Sequence, residues 1–144
     1  MNKFILALIM LSLSIAPIFA AKHVKAGPRK GLLLELTGKN AEFFVEKDRK
    51  VSIVIYDAAM KPQAPSGEEF TATAEAASGK VKLEFEVKGD QLVSTTPLPG
   101  GEGYQVVVQA KADKAAKPKN FRIKLELYIC KSCSNPEYAC TCDE

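Results

Sequence analysis

From Leu32 to Ile129 apolar and polar residues alternate with a period of two. In KVKLEFEVK, Val81, Leu83, Phe85 and Val87 lie on one side of the chain, and Lys80, Lys82, Glu84, Glu86 and Lys88 on the other. Successive side chains of an extended chain point to opposite faces, so this stretch predicts a half-buried antiparallel strand. FRIKLELYI repeats the pattern, with Phe121, Ile123, Leu125, Leu127 and Ile129 toward a core and Arg122, Lys124, Glu126 and Tyr128 away from it. In YQVVVQAKA, Tyr104, Val106, Val108 and Ala110 share a face opposite Gln105, Val107, Gln109 and Lys111. Shorter strand-forming runs lie at 32–37, 41–46, 51–57, 70–76 and 92–95.

Turn-forming residues separate these runs: Gly38-Lys39-Asn40, Lys47-Asp48-Arg49, Lys61 through Gly67, Ser78-Gly79, Gly89-Asp90 and Pro97 through Gly103. No stretch sustains a helical period, although the alanines of residues 110–117 allow a helical turn. Seven to eight short strands at regular spacing, roughly, without helices between them, predict an all-β fold. The expected form is an immunoglobulin-like sandwich of two antiparallel sheets over residues 31–129, with a closed barrel as the alternative.

Two segments carry a resemblance that sharpens this expectation. LPGGEGYQVVVQAKA is similar to the part of fibronectin type III and related immunoglobulin-like domains where a Leu-Pro turn leads into a Tyr-x-Val-x-Val strand. Here Leu98 and Pro99 are adjacent, whereas the family pattern separates them by one residue. The resemblance implies a tyrosine corner at Tyr104, whose hydroxyl bonds back to nearby backbone. VSIVIYDAAMKPQAP resembles the strand and turn of transthyretin-like and carboxypeptidase-regulatory-like modules. Both likenesses concern architecture, which does not itself specify function.

The first twenty residues, MNKFILALIMLSLSIAPIFA, have one charge at Lys3, an apolar run from Phe4 to Ile15, then Pro17 and the small Ala20. This is the layout of a secretory signal peptide cleaved after Ala20 or Ala21, and it places the mature protein in the periplasm or outside the cell, without a membrane span. Cleavage removes only Lys3 from 20 basic residues set against 17 acidic ones. The mature chain is close to neutral with its signs interspersed, which argues against a nucleic-acid partner. The exception is KHVKAGPRK, and residues 21–30 are expected to form a basic, flexible, solvated tail.

Catalytic machinery is hard to assemble from what remains. The single histidine, His23, falls in that tail, so a nucleophile activated by histidine has no base. Gly100, Gly101 and Gly103 precede a strand and lack the lysine and helix start of a phosphate loop. Glu84 and Glu86 lie among lysines on a solvated strand face, and nothing pairs Glu68 with Glu69 as acid and base. The expectation is a protein that is not an enzyme.

The chemistry that stands out is ICKSCSNPEYACTCDE, residues 129–144, in which Cys130, Cys133, Cys140 and Cys142 are the only cysteines. Three arrangements fit this four-cysteine tail. Two disulfides are one, because an even number of thiols in an oxidising compartment forms bridges; the nested pairing Cys130–Cys142 with Cys133–Cys140 would close a hairpin around Ser134-Asn135-Pro136. A thiolate metal site is the second, since two close pairs joined by a short loop can wrap Zn2+ or Cu(I). The Cys-x-Cys half favours it, because a bridge across one residue closes a strained ring. Glu137, Asp143 and Glu144 add negative potential. A thiol–disulfide exchange pair at Cys130 and Cys133 is the third, although such pairs normally open a helix and this one precedes Asn135-Pro136.

The signal peptide, AEFFVEKDRKVSIVIYDAAMKPQAP, PLPGGEGYQVVVQAKA, KPKNFRIKLEL and the terminal C-x-x-C…EYACTC together resemble a group of small exported bacterial proteins associated with heavy-metal efflux. The resemblance implies that the four cysteines are a shared tail. It also implies histidine near the first strands, where this chain has Lys39-Asn40. Two functions are therefore expected in competition. The first is an exported Zn2+ or Cu(I) binder that buffers metal or assists its export. The second is a disulfide-stapled module that binds another exported protein through a sheet face or the 61–67 and 97–103 loops.

Overall fold

The computed structural model describes residues 24–142. The signal-peptide segment, His23, Asp143 and Glu144 lie outside the described residues. Among the described residues the fold is all-β, with nine strands: β1 Leu32–Leu36, β2 Lys39–Val45, β3 Val51–Asp57, β4 Pro62–Gln63, β5 Glu69–Ala76, β6 Gly79–Lys88, β7 Gln91–Ser94, β8 Tyr104–Lys111 and β9 Lys119–Leu125. Every pairing is antiparallel, and the strands follow one path, β1-β2-β3-β7-β6-β5-β8-β9, with β4 beside β3.

That path folds into two layers because β6 changes partners along its length. Its first half, Gly79–Glu84, pairs with β5, and its second half, Phe85–Lys88, pairs with β7. One sheet is thus β1-β2-β3-β7 with the end of β6, and the other is the start of β6 with β5-β8-β9. The non-sequential pairs β3–β7 and β5–β8 stand where an immunoglobulin-like sandwich joins its B to E and C to F strands. The inward faces meet in a core that includes Leu34, Phe43, Ile53, Ile55, Leu83, Val106, Val108 and Leu125, all nearly or fully buried. Between β9 and the β1 edge, where Ala26 bridges to Leu32, the sandwich stays open as a groove of about 530 Å³, lined in part by Leu32, Phe121 and Tyr138.

The alternating runs form the expected strands, and Tyr104 forms the expected corner: its hydroxyl donates to the Pro99 carbonyl at 2.8 Å. Arg49 reinforces that turn, its guanidinium donating to Pro99 O, Gly101 O and the Tyr104 hydroxyl. The alanine-rich 110–117 stretch makes only a turn, in which the Ala116 amide donates to the Asp113 carbonyl at 3.2 Å.

Three expectations are corrected. Val87 was assigned to the core face, yet it is 62% exposed. Beyond Glu84 only β7 flanks β6, so Val87 lies on the rim of the sandwich. Ile129 is 57% exposed because β9 ends at Leu125 and the chain leaves the sheet there. The 24–30 segment, read as a solvated flexible tail, is fastened to the outer face of the first sheet. Leu33 donates to Lys25 O at 2.8 Å, and the Arg29 guanidinium reaches Glu46 at 2.7 Å and Ser52 at 3.0 Å while covering the Phe44 ring at 4.4 Å.

What holds that segment is Glu42, fully buried on the outward side of β2. One carboxylate oxygen accepts the amides of Arg29 and Gly31, each at 2.8 Å, and the other accepts the Tyr56 hydroxyl at 2.8 Å. A buried carboxylate is tolerated only when its lone pairs are met in this way. The approach is so close that a Cβ on Gly31 would lie 2.5 Å from the Phe43 carbonyl oxygen, and one on Gly27 would overlap the Glu42 carboxylate.

Candidate metal centre

After Leu125 the chain forms a small hairpin outside the sheets. Residues 126–130 run antiparallel to 135–138: Tyr138 N donates to Glu126 O at 3.1 Å, Glu137 N to Tyr128 O at 2.9 Å, and Cys130 N to Asn135 O at 2.8 Å. Cys130 therefore stands at the tip of a hairpin arm, five positions beyond Leu125, the end of β9. Cys130 to Cys133 make the turn itself. It is closed by Ser134 N donating to Cys130 O at 2.9 Å, with Ser134 at φ 60°, a left-handed conformation that keeps the loop tight.

Pro136, with its fixed φ of −54°, then starts a short 3-10 helix, Glu137–Ala139. This helix anchors the tail. Tyr138 and Ala139 are buried, the Tyr138 ring stands edge-on to Phe43 at 5.9 Å, and its hydroxyl accepts the Val45 amide at 3.1 Å. Cys140 follows at once, and Cys142 lies two residues further on.

The result is a cluster. The four Sγ atoms all lie within 4.8 Å of one another, and among the described residues they form the group that can hold a metal ion. All four thiols are free. Cys133 and Cys140 Sγ are 3.6 Å apart, and Cys130 and Cys142 Sγ are 3.7 Å apart. Four sulfurs bound at about 2.3 Å to a tetrahedral ion sit about 3.8 Å from each other, close to the spacing seen here.

Backbone amides are turned toward the sulfurs. Those of Thr141 and Asn135 pull the Cys133 thiol down to about 6, and those of Cys133 and Ser132 lower Cys130. Cys140 receives the Cys142 amide, but the adjacent Cys130 sulfur, together with burial, outweighs it and pushes Cys140 up to about 12. Cys142 is raised chiefly by its contact with Cys130. Crowded thiols cannot all ionise by themselves, so a cation is what allows the third and fourth to lose their protons.

The four clustered cysteines were legible in the sequence, but what places them was not. Tyr138 is the aromatic residue of the six-residue loop between the cysteine pairs, and an aromatic there was the available sign of an anchor. Glu42 gave no comparable sign. At Lys39-Asn40, where histidine was expected from the resemblance, Lys39 instead pairs with the buried side chain of Glu68. Among the described residues no helix is long and apolar enough to cross a membrane.

No protein family, curated protein or solved structure matches this chain.

Proposed function

We propose that this is an exported, non-enzymatic metal-binding protein that holds one Zn2+ ion on Cys130, Cys133, Cys140 and Cys142. The observation that carries the proposal is the convergence of all four sulfurs within 4.8 Å. Two disulfides need each sulfur near one partner, whereas a shared tetrahedral ion needs each near the other three. Four thiolates suit Zn2+ as a closed site; Cu(I) takes fewer ligands and leaves sulfur unused. The signal-peptide layout of residues 1–20 supports a site outside the cytoplasm, where it would buffer metal or assist its export.

A second reading has an observation of its own. The sulfur contacts of 3.6 Å between Cys133 and Cys140 and 3.7 Å between Cys130 and Cys142 join the pairs of the nested disulfide pattern. Oxidised in that way, the tail becomes a staple on a protein-interaction module.

Native electrospray mass spectrometry on protein purified under inert gas separates the two. A mass heavier by one zinc, with four alkylatable thiols after denaturation, is the expected result. A metal-free mass lighter by four hydrogens overturns the proposal in favour of the staple, and a copper adduct replaces Zn2+ with Cu(I).

A further inference from the structure

The four sulfurs are not held alike. Cys130 and Cys133 flank a turn closed by two backbone hydrogen bonds, at 2.8 and 2.9 Å. Each also receives two amides at its sulfur. Cys140 is bonded through its own amide to Glu137 O at 3.0 Å and directly follows Ala139, which is fully buried. Its sulfur receives the Cys142 amide. Cys142 is the exposed member, while the other three are half-buried. A ligand fixed by backbone hydrogen bonds and shielded from solvent leaves an ion less readily than an exposed one.

We infer that Cys142 is the exchangeable ligand of the cluster, through which the bound metal passes to a thiol-bearing acceptor. The inference rests on the metal-binding proposal above. The acceptor is a soft sulfur donor, because sulfur replaces sulfur without changing the coordination of the ion. Its thiolate approaches from the solvent side and forms a new metal–sulfur bond as the bond to Cys142 breaks. The proton lost by the acceptor thiol ends on the Cys142 sulfur. The metal keeps its charge and four sulfur ligands, and no oxidant is consumed. Cys130, Cys133 and Cys140 then act as the three-point seat from which the ion is drawn away.

The test uses the full mature chain loaded with Zn2+, its stoichiometry measured first by native mass spectrometry. A pulse of N-ethylmaleimide is then mapped by peptide mass spectrometry. Cys142, the exposed member, is expected to react about tenfold faster than the other three, the scale on which outer-shell support changes a metal site. Cys142→Ser is expected to retain one Zn2+ with weakened affinity, while Cys133→Ser loses it. Failure to load Zn2+ at all overturns the metal proposal itself. Loading followed by equal alkylation, or by faster reaction at another cysteine, overturns the exchange inference and leaves the metal proposal standing. Loss of Zn2+ from Cys142→Ser as complete as from Cys133→Ser does the same.

Discussion

The hydroxyl of Tyr138 accepts a hydrogen bond from the backbone amide of Val45 at 3.1 Å, across 93 positions of sequence. With its ring edge-on to Phe43, this contact ties the cysteine-bearing tail to the centre of the first sheet. The anchor of the tail is thus made by Tyr138, Phe43 and Val45 of the polypeptide itself. Tyr138→Phe keeps the ring and loses the acceptor, and is expected to cost about 1 kcal/mol in urea unfolding. Tyr138→Ala also empties a buried site and is expected to cost about 3 kcal/mol. Zinc competition titrations on the two variants are expected to show weaker binding in the alanine form.

Metal removal follows from the same anchoring. A chelator is expected to leave the far-ultraviolet circular dichroism of the sandwich unchanged. Hydrogen exchange should rise within residues 130–142 and stay unchanged in β2, β3 and β8. Loss of protection throughout the sheets would mean that the ion organises the whole fold.

Glu42 and the 24–31 segment give a third prediction. Glu42→Ala strands two amides and the Tyr56 hydroxyl, each of which now donates at 2.8 Å. Orphaned buried donors are costly, and the expected destabilisation is about 3 kcal/mol. Limited proteolysis should then cut within residues 24–31, which the intact protein protects. Gly31→Ala is expected to show the same cleavage, because its Cβ would collide with the Phe43 carbonyl.

A fourth concerns acid. Burial pushes the Glu68 carboxyl up, but the Lys39 ammonium and the Ser66 amide outweigh it and hold the group below its ordinary 4.5. A carboxyl depressed by folding contributes stability that is present above 4.5 and is lost as pH falls through its lower folded value. Urea midpoints measured from pH 6 downward should therefore fall below about pH 4.5. In Lys39→Met the contribution of this pair to that decline should vanish.

The strands were legible because each core face repeats every second residue, as in Val106, Val108 and Ala110. Strand β4 was not, since Pro62 and Gln63 are too few to make a pattern. The four cysteines stood out by spacing, and their convergence did not, because it depends on Tyr138 reaching Phe43 and Val45 far back in the chain. Glu42 looks like any solvent-facing charge between Ala41 and Phe43. Its burial comes from a segment folding over it, an event that no local window contains. Val87 and Ile129 continue the alternation beyond the core, since β6 is flanked there by β7 alone and β9 has already ended at Leu125.

Strand β6 belongs to both sheets, giving Gly79–Glu84 to one and Phe85–Lys88 to the other. Neither sheet can melt while the other survives unless this one strand is pulled apart in its middle. The sandwich thus has no natural fault line, and its layers should come undone together as a single cooperative unit. Whatever is gained or lost at the cysteine tail is then felt against an all-or-none background, in which partial opening is confined to the hairpin that carries the thiols.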